Sequence, residues 1–228
     1  MSQPACVVDG LAKEYGGVYV FSGLSLQVMP GEVLAVVGPN GTGKTTLLRC
    51  LAGLATVSEG VIRIAGREVR ATVDQPDVRF QLAYAADEPA LYEDLTAWQH
   101  ARFFAGVWGV SDVGPIFSQL LDGFDLTDRG DDQVGRLSRG MRQKVALALA
   151  LCHPAKLLLI DEPFAGLDAA GRRTFLQQLA RARAAGCAAI VATHALARVS
   201  EFADSVLDLT GVDGAGEDWE APTDADEV

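Results

Sequence analysis

The 228-residue chain contains no run of 18 consecutive apolar residues, so no segment reads as a helix able to cross a bilayer. Residues 1–9 lack the basic region and apolar stretch of a secretory signal, so the expected location is the cytosol unless a partner holds the chain at a membrane. Basic charge is also short. The net charge is −11, but residues 201–228 carry ten acids and no base, which leaves the first 200 residues close to neutral. A neutral body without a basic face argues against nucleic acid as a partner. The segment 211–228 is acidic, rich in Gly, Pro and acids, and has too little apolar content to offset its ordering entropy. We expect it to be a solvated, disordered tail. The four cysteines, Cys6, Cys50, Cys152 and Cys187, are scattered and form no CxxC pair, which excludes a disulfide framework or a zinc knuckle as the organising element.

What the chain does have is apolar content: 49% of its residues are hydrophobic, enough for one large core. β-prone runs fill the N-terminal stretch, at 18–21 and 24–28, and Pro30-Gly31 closes it with a turn. Residues 33–37 (Val-Leu-Ala-Val-Val), 156–160 (Lys-Leu-Leu-Leu-Ile) and 188–192 (Ala-Ala-Ile-Val-Ala) are short continuous apolar runs of the kind a parallel strand buried on both faces shows. Further strands are expected at 61–64, 80–85 and, at an edge, 205–209. Helices are expected at 45–54, 96–107, 113–121, 139–152 and 169–185, with a short one at 195–203. Alternation of strand and helix, interrupted by a purely helical block at about 95–153, reads as an α/β core with a parallel sheet and an inserted helical subdomain.

The first motif lies between the 33–37 strand and the next helix. Gly38-Pro39-Asn40-Gly41-Thr42-Gly43-Lys44-Thr45-Thr46 contains the spacing Gly-x4-Gly-Lys-Thr of a P-loop. Its glycines let several backbone N–H groups converge on phosphate oxygens, and the helix N-terminus behind them adds the positive end of a dipole. Lys44 supplies a point charge for the β- and γ-phosphates of a nucleotide, and the Thr45 hydroxyl can ligate Mg²⁺. The second motif is the apolar strand ending in Asp161 and Glu162. A carboxylate at that place is costly unless a cation satisfies it. Asp161 is therefore a candidate to orient Mg²⁺ through water, and Glu162 to act on the attacking water as general base.

These two motifs occur in many nucleotidases. Leu137-Ser138-Arg139-Gly140-Met141-Arg142-Gln143-Lys144 narrows the choice, because it resembles the signature motif of the ABC ATPases in the variant found in exporter-type cassettes. Gly166-Leu167-Asp168 is similar to that family's D-loop, Thr193-His194 to its switch histidine, and Tyr15 to the aromatic residue that stacks on adenine. The resemblance covers residues 5–210. It implies the fold class α/β: a P-loop NTPase core with a mixed, mostly parallel sheet, an N-terminal antiparallel β layer and the inserted helical subdomain. It also implies ATP and Mg²⁺ as ligands, and a head-to-tail dimer with a second ABC ATPase subunit, identical or not. In such a dimer Ser138 and Gly140 hold the γ-phosphate of the ATP on the other subunit, and His194 links γ-phosphate to Glu162. The activity implied is ATP hydrolysis powering a separate transmembrane permease, for export by the motif variant, with the chain peripheral on the inner face of the membrane. A groove between the helical insert and the 87 loop would receive a short helix of the permease, and aromatics among Trp98, Phe103, Phe104 and Trp108 would line it or pack the core.

Two departures stand out. Where the family pattern has Gln, nine positions before Thr96, this chain has Asp87, a further candidate metal contact that adds negative charge. Arg139 and Met141 replace the commoner Gly and Gln of the signature, while Ser138 and Gly140 are kept. Two other readings compete: a non-transport ABC ATPase in DNA repair, translation or assembly, which two linked cassettes, a coiled-coil insert or basic surfaces would favour, and a regulatory subunit with weak hydrolysis.

Overall fold

The computed structural model describes residues 3–71, 75–110 and 112–211. The chain opens with a long antiparallel hairpin, β1 (Cys6–Tyr15) and β2 (Val18–Val28), which β4 (Glu59–Ile64) and β5 (Arg67–Glu68) extend to a sheet of order β2-β1-β4-β5. The second sheet has the order β6-β7-β8-β3-β9, built from β3 (Val33–Val37), β6 (Leu82–Ala85), β7 (Leu157–Asp161), β8 (Ala188–Thr193) and β9 (Ser205–Asp208). All four of its pairings are parallel. The expected fold class holds, and the structure segregates the two pairing modes: antiparallel in the N-terminal layer, parallel in the core.

Three central strands, β3, β7 and β8, are buried at every residue. On β7 and β8 the side chains alternate between two cores, and on β3 Ala35 and Val37 join a third, small cluster with Val199. On β7, Leu158 and Ile160 face a core shared with the helical block, while Leu157 and Leu159 face one shared with the antiparallel sheet and α1 (Lys44–Leu51). Covering both faces is what a parallel sheet requires, because its crossover helices lie on either side.

Local signals set the helix bounds. The first ends earlier than the sequence implied: Gly53 turns left-handed at φ 70°, and the Leu54 N–H closes back on the Arg49 carbonyl at 2.8 Å. α2 (Pro76–Arg79), which the sequence reading missed, is one turn long, too short for periodicity to show, although Pro76 sits in its first turn. α3 (Ala97–Trp108) opens on a reciprocal cap in which Thr96 and Gln99 each bond the other's backbone N–H, and Gly109 ends it. α4 (Gly114–Gly123), α5 (Arg139–Cys152) and α6 (Ala169–Ala184) follow. Ser138 caps α5 and Asp168 caps α6. The stretch expected as a short helix at 195–203 is a 3-10 segment, Leu196–Glu201, with no side-chain cap at Ala195. The acidic tail expected at 211–228 falls, beyond residue 211, outside the described residues.

Three of the aromatics pack inward: Trp98 against Phe117 with ring centroids 5.2 Å apart, and Phe104 stacked on Trp108 at 5.4 Å. Phe103 is exposed and meets the exposed Tyr92 edge-on at 5.8 Å. His100 is fully buried; its Nε2 accepts from Tyr92 N, so Nδ1 carries the proton and donates to the Thr96 carbonyl. Among the described residues no disulfide joins the cysteines, and burial pushes Cys6 up to about 12 and Cys152 and Cys187 up to about 11, which leaves those three unreactive.

Candidate active site

Strand register brings the two motifs together. Asp161 pairs with Ala192, and Val37 with Thr193, so the ends of β7, β8 and β3 lie side by side and the loops leaving them share one edge. Ligands of open α/β sheets bind at that edge. Residues 38–43 form the loop from β3 into α1. Gly43 caps α1 in the left-handed region at φ 90°, and a Cβ there would sit 2.5 Å from Val20 Cγ1 on β2. Only glycine lets the phosphate loop pass beneath the β1–β2 hairpin. Thr42 closes the loop by donating to the Pro39 carbonyl at 3.0 Å. Asn40, Gly41 and Thr42 stay near the surface while Thr46 is buried.

Lys44 is almost fully buried and donates to the Gly38 and Pro39 carbonyls, each at 2.8 Å. Burial pulls its ammonium below the usual lysine range, and the neighbouring Glu162 and Asp161 oppose that. Thr45 donates to Asp161 Oδ2 at 2.7 Å. Asp161 is 0% exposed, and its other oxygen, Oδ1, has no protein partner. Burial, against the Thr45 bond, pushes this carboxyl up to about 6, with help from the charges of Glu162 and Asp87. An orphaned carboxylate oxygen beside a threonine hydroxyl is the donor set a hard cation takes, and Mg²⁺ in phosphate sites needs only one or two such protein oxygens. Among the described residues no cluster of three His, Cys, Asp or Glu side chains could cage a metal without substrate oxygens.

Glu162 turns the chain sharply, with φ 44°, a strained value for a residue with a Cβ. Three donors at the end of β8 hold its carboxylate: His194 N at 2.9 Å and His194 Nδ1 at 3.0 Å on Oε1, and Thr193 Oγ1 at 3.2 Å on Oε2. The histidine thus presents Nδ1 to the glutamate and leaves Nε2 for whatever enters the cleft.

That cleft, about 370 Å³, is lined by Asn40, Asp87, Arg139, Gly140, Gln143, Glu162, Ala165, Gly166 and His194. It therefore joins the loop after β3, the residue after β7, the start of α5 and His194. Ser138 accepts from Met141 N at 3.3 Å as the cap of α5 and is itself exposed, so the helix N-terminus opens outward. Tyr15, at the end of β1, has Lys13 Nζ 4.0 Å from its ring centroid. Asp87 faces Arg139 at 3.5 Å.

Three residues carry structure that sequence reasoning did not assign. Gln143 is 3% exposed and neither polar atom of its amide has a protein partner, although it borders the cleft. Lys144, also buried, reaches Asp168 Oδ2 at 3.5 Å and so ties α5 to the segment following β7. Gly140 permits the same approach: a Cβ on it would lie 2.9 Å from the Gly166 carbonyl oxygen. Gln143 and Lys144 continue a polar run from Arg142 in α5, so their burial had no signal in composition, and the Gly140–Gly166 contact had none either. Gly140→Ala is accordingly expected to destabilise the nucleotide-free chain by about 1–3 kcal/mol through overpacking. Chemical denaturation without nucleotide checks this, and an unchanged midpoint would remove the steric role.

Comparison with known proteins gives a consistent result. The family model described as ABC transporter matches residues 21–165. The SkfA peptide export ATP-binding protein SkfE of Bacillus subtilis (strain 168) is 37% identical over 202 residues, 88% of this chain and 83% of that protein. The Fe(3+) ions import ATP-binding protein FbpC 2 of Rhodococcus jostii (strain RHA1) is 37% identical over 207 residues, 89% of this chain and 58% of that one. A solved structure titled as the ATP binding subunit of an ABC transporter superposes with a TM-score of 0.84 at 32% identity, covering 90% of this chain and 85% of that one.

Proposed function

The chain belongs to the ABC transporter family as an ATP-binding, ATP-hydrolysing subunit, and from that premise we propose that it powers a separate membrane permease, for export, as one half of a nucleotide-sandwich dimer. The observation that carries the reading is the cleft at the strand ends, bordered by Asn40 of the P-loop, Glu162 and His194, together with the exposed N-terminus of the Ser138-capped helix.

In this mechanism the 38–46 loop wraps the phosphates with backbone N–H groups, and Lys44 leaves its two carbonyl partners to meet the β- and γ-oxygens. Tyr15, with a cation behind its ring, offers a stacking surface to adenine. Thr45 and Asp161 would hold Mg²⁺, which when bound supplies charge neutralisation on the phosphates. Glu162 takes the proton of the attacking water, and His194 reports on the γ-phosphate through its unused nitrogen. Ser138 and Gly140 of the second subunit, identical or different, close over the same phosphate with the helix dipole aligned. That differential affinity for the closed state is what moves the permease. Residues 5–210 act as one cassette, with the helical subdomain at about 95–153 as the permease-facing part.

Export rests on the Leu137-Ser138-Arg139-Gly140-Met141 variant and on the peptide export role named for SkfE; the iron import role named for FbpC 2 shows that the fold serves both directions. Among the described residues no helix is long and apolar enough to cross a membrane, which fits attachment to the inner face of the cell membrane through the permease. The outward pair Tyr92, five residues after Asp87, and Phe103 is the surface we assign to permease docking. Affinity purification from solubilised membranes is expected to retain a protein with several apolar spans, and Tyr92→Ser with Phe103→Ser to lose it while the melting temperature holds. Retention by the double variant would refute the docking assignment.

A further inference from the structure

Arg139 stands in an unfavourable place. As the first residue of α5 it lies at the positive end of a helix dipole, where anions are stabilised and cations are not. Local rules broken without local compensation point to a partner elsewhere in the fold. The structure supplies it: Nη2 of Arg139 lies 3.5 Å from Asp87 Oδ2 and 3.8 Å from Glu88 Oε1. The two residues of the pair are 52 positions apart, one after β6 and the other opening α5, and both line the cleft.

The cleft also has a charge problem. Asp87 and Glu162 border it, the buried Asp161 directly precedes Glu162, and a nucleotide triphosphate brings more negative charge still. Lys44 is engaged with the carbonyls of its own loop before nucleotide arrives, and it does not line this cleft. Among the described residues that line the cleft, Arg139 is the one lysine or arginine. The charge on Asp87 is felt as far as Asp161.

We propose that Arg139 is the dedicated charge partner of Asp87: it neutralises the carboxylate after β6 and holds the 87 loop against the start of α5, so that Asp87 is not a metal ligand and nucleotide can enter an otherwise acidic cleft. Arg139 is a positioning residue in this arrangement, acting on nucleotide through Asp87. The inference rests on the ATP-binding reading of the cleft and adds to it a residue pair in which both departures from the usual motifs compensate each other.

The test is equilibrium binding of a fluorescent ATP analogue to the full chain, with Mg²⁺ and with chelator, for wild type, Arg139→Gln, Asp87→Asn and the double variant. Melting temperatures check that each variant folds. The pair is half-exposed, so the expected loss in Arg139→Gln is about two- to fivefold at low salt, shrinking as salt rises toward about 0.2 M. The double variant is expected to return to within about twofold of wild type, as a coupled pair should. Two results would overturn the proposal: a double variant as weak as Arg139→Gln, or an Asp87→Asn loss confined to the Mg²⁺ arm. A wild-type chain that binds no analogue would instead refute the nucleotide site itself.

Discussion

Glu162→Gln is expected to bind Mg-ATP normally and to hydrolyse it about 10²- to 10⁴-fold more slowly, the range a lost general base covers. The geometry explains why the loss should be in the chemical step. His194 N, His194 Nδ1 and Thr193 Oγ1 fix the side chain from three directions, and a glutamine carbonyl can still accept from the two histidine donors. Shape and placement survive; the basic oxygen does not. In the proposed sandwich ATP holds the closed dimer together until it is split, so the variant should accumulate as a dimer when Mg-ATP is added. Size-exclusion chromatography with and without Mg-ATP, alongside phosphate release, reads both effects. Brisk turnover would remove Glu162 from the chemical step, and a variant that stays monomeric with ATP bound would remove the sandwich.

Asp161→Asn should separate stability from function. This carboxyl ordinarily titrates near 3.8 and is pushed up to about 6, chiefly by burial. Between those values the folded chain holds a proton that the unfolded chain has lost, so stability falls as pH rises through the window. The cost is absent below the ordinary value and complete above about 6. Asparagine carries no charge to bury, can still accept from Thr45, and should therefore raise nucleotide-free stability above that pH by roughly 1–3 kcal/mol. The same change removes the anionic oxygen facing the Mg²⁺ position, and Mg²⁺-dependent hydrolysis should fall at least about a hundredfold, a loss of roughly 3 kcal/mol or more in transition-state stabilisation. Denaturation of the nucleotide-free wild type and variant at pH 5 and pH 8 gives the first readout, and phosphate release gives the second. If the two chains share the same pH dependence of stability, the carboxylate is not the buried cost the structure indicates.

The P-loop and the acidic strand were readable because each is enforced by a few adjacent residues. Gly43 must take a left-handed conformation under Val20, and Asp161 must end a strand whose other members are all apolar. Ser138 was readable for the same reason, since a cap is a local bond to the backbone three residues on. The hairpin was only partly legible. β1 changes register at several points against β2, including around Gly10, so its alternation is broken and periodicity alone could not trace it end to end. A one-turn element such as α2 lies below the length at which periodicity says anything.

Sequence by itself determined the chemistry on offer: a candidate phosphate loop, a candidate metal-orienting carboxylate, a candidate base and a capped helix end, each written in neighbouring residues whose backbone geometry admits few alternatives. Only the tertiary structure decided how those groups meet. Parallel register sets Asp161 against Ala192 and Val37 against Thr193, and Gly140 lies against Gly166, Lys144 against Asp168 and Arg139 against Asp87. Such pairings depend on how sheet and helices pack, and a carboxylate's charge matters to whatever the fold places within a few ångströms of it, however distant along the chain.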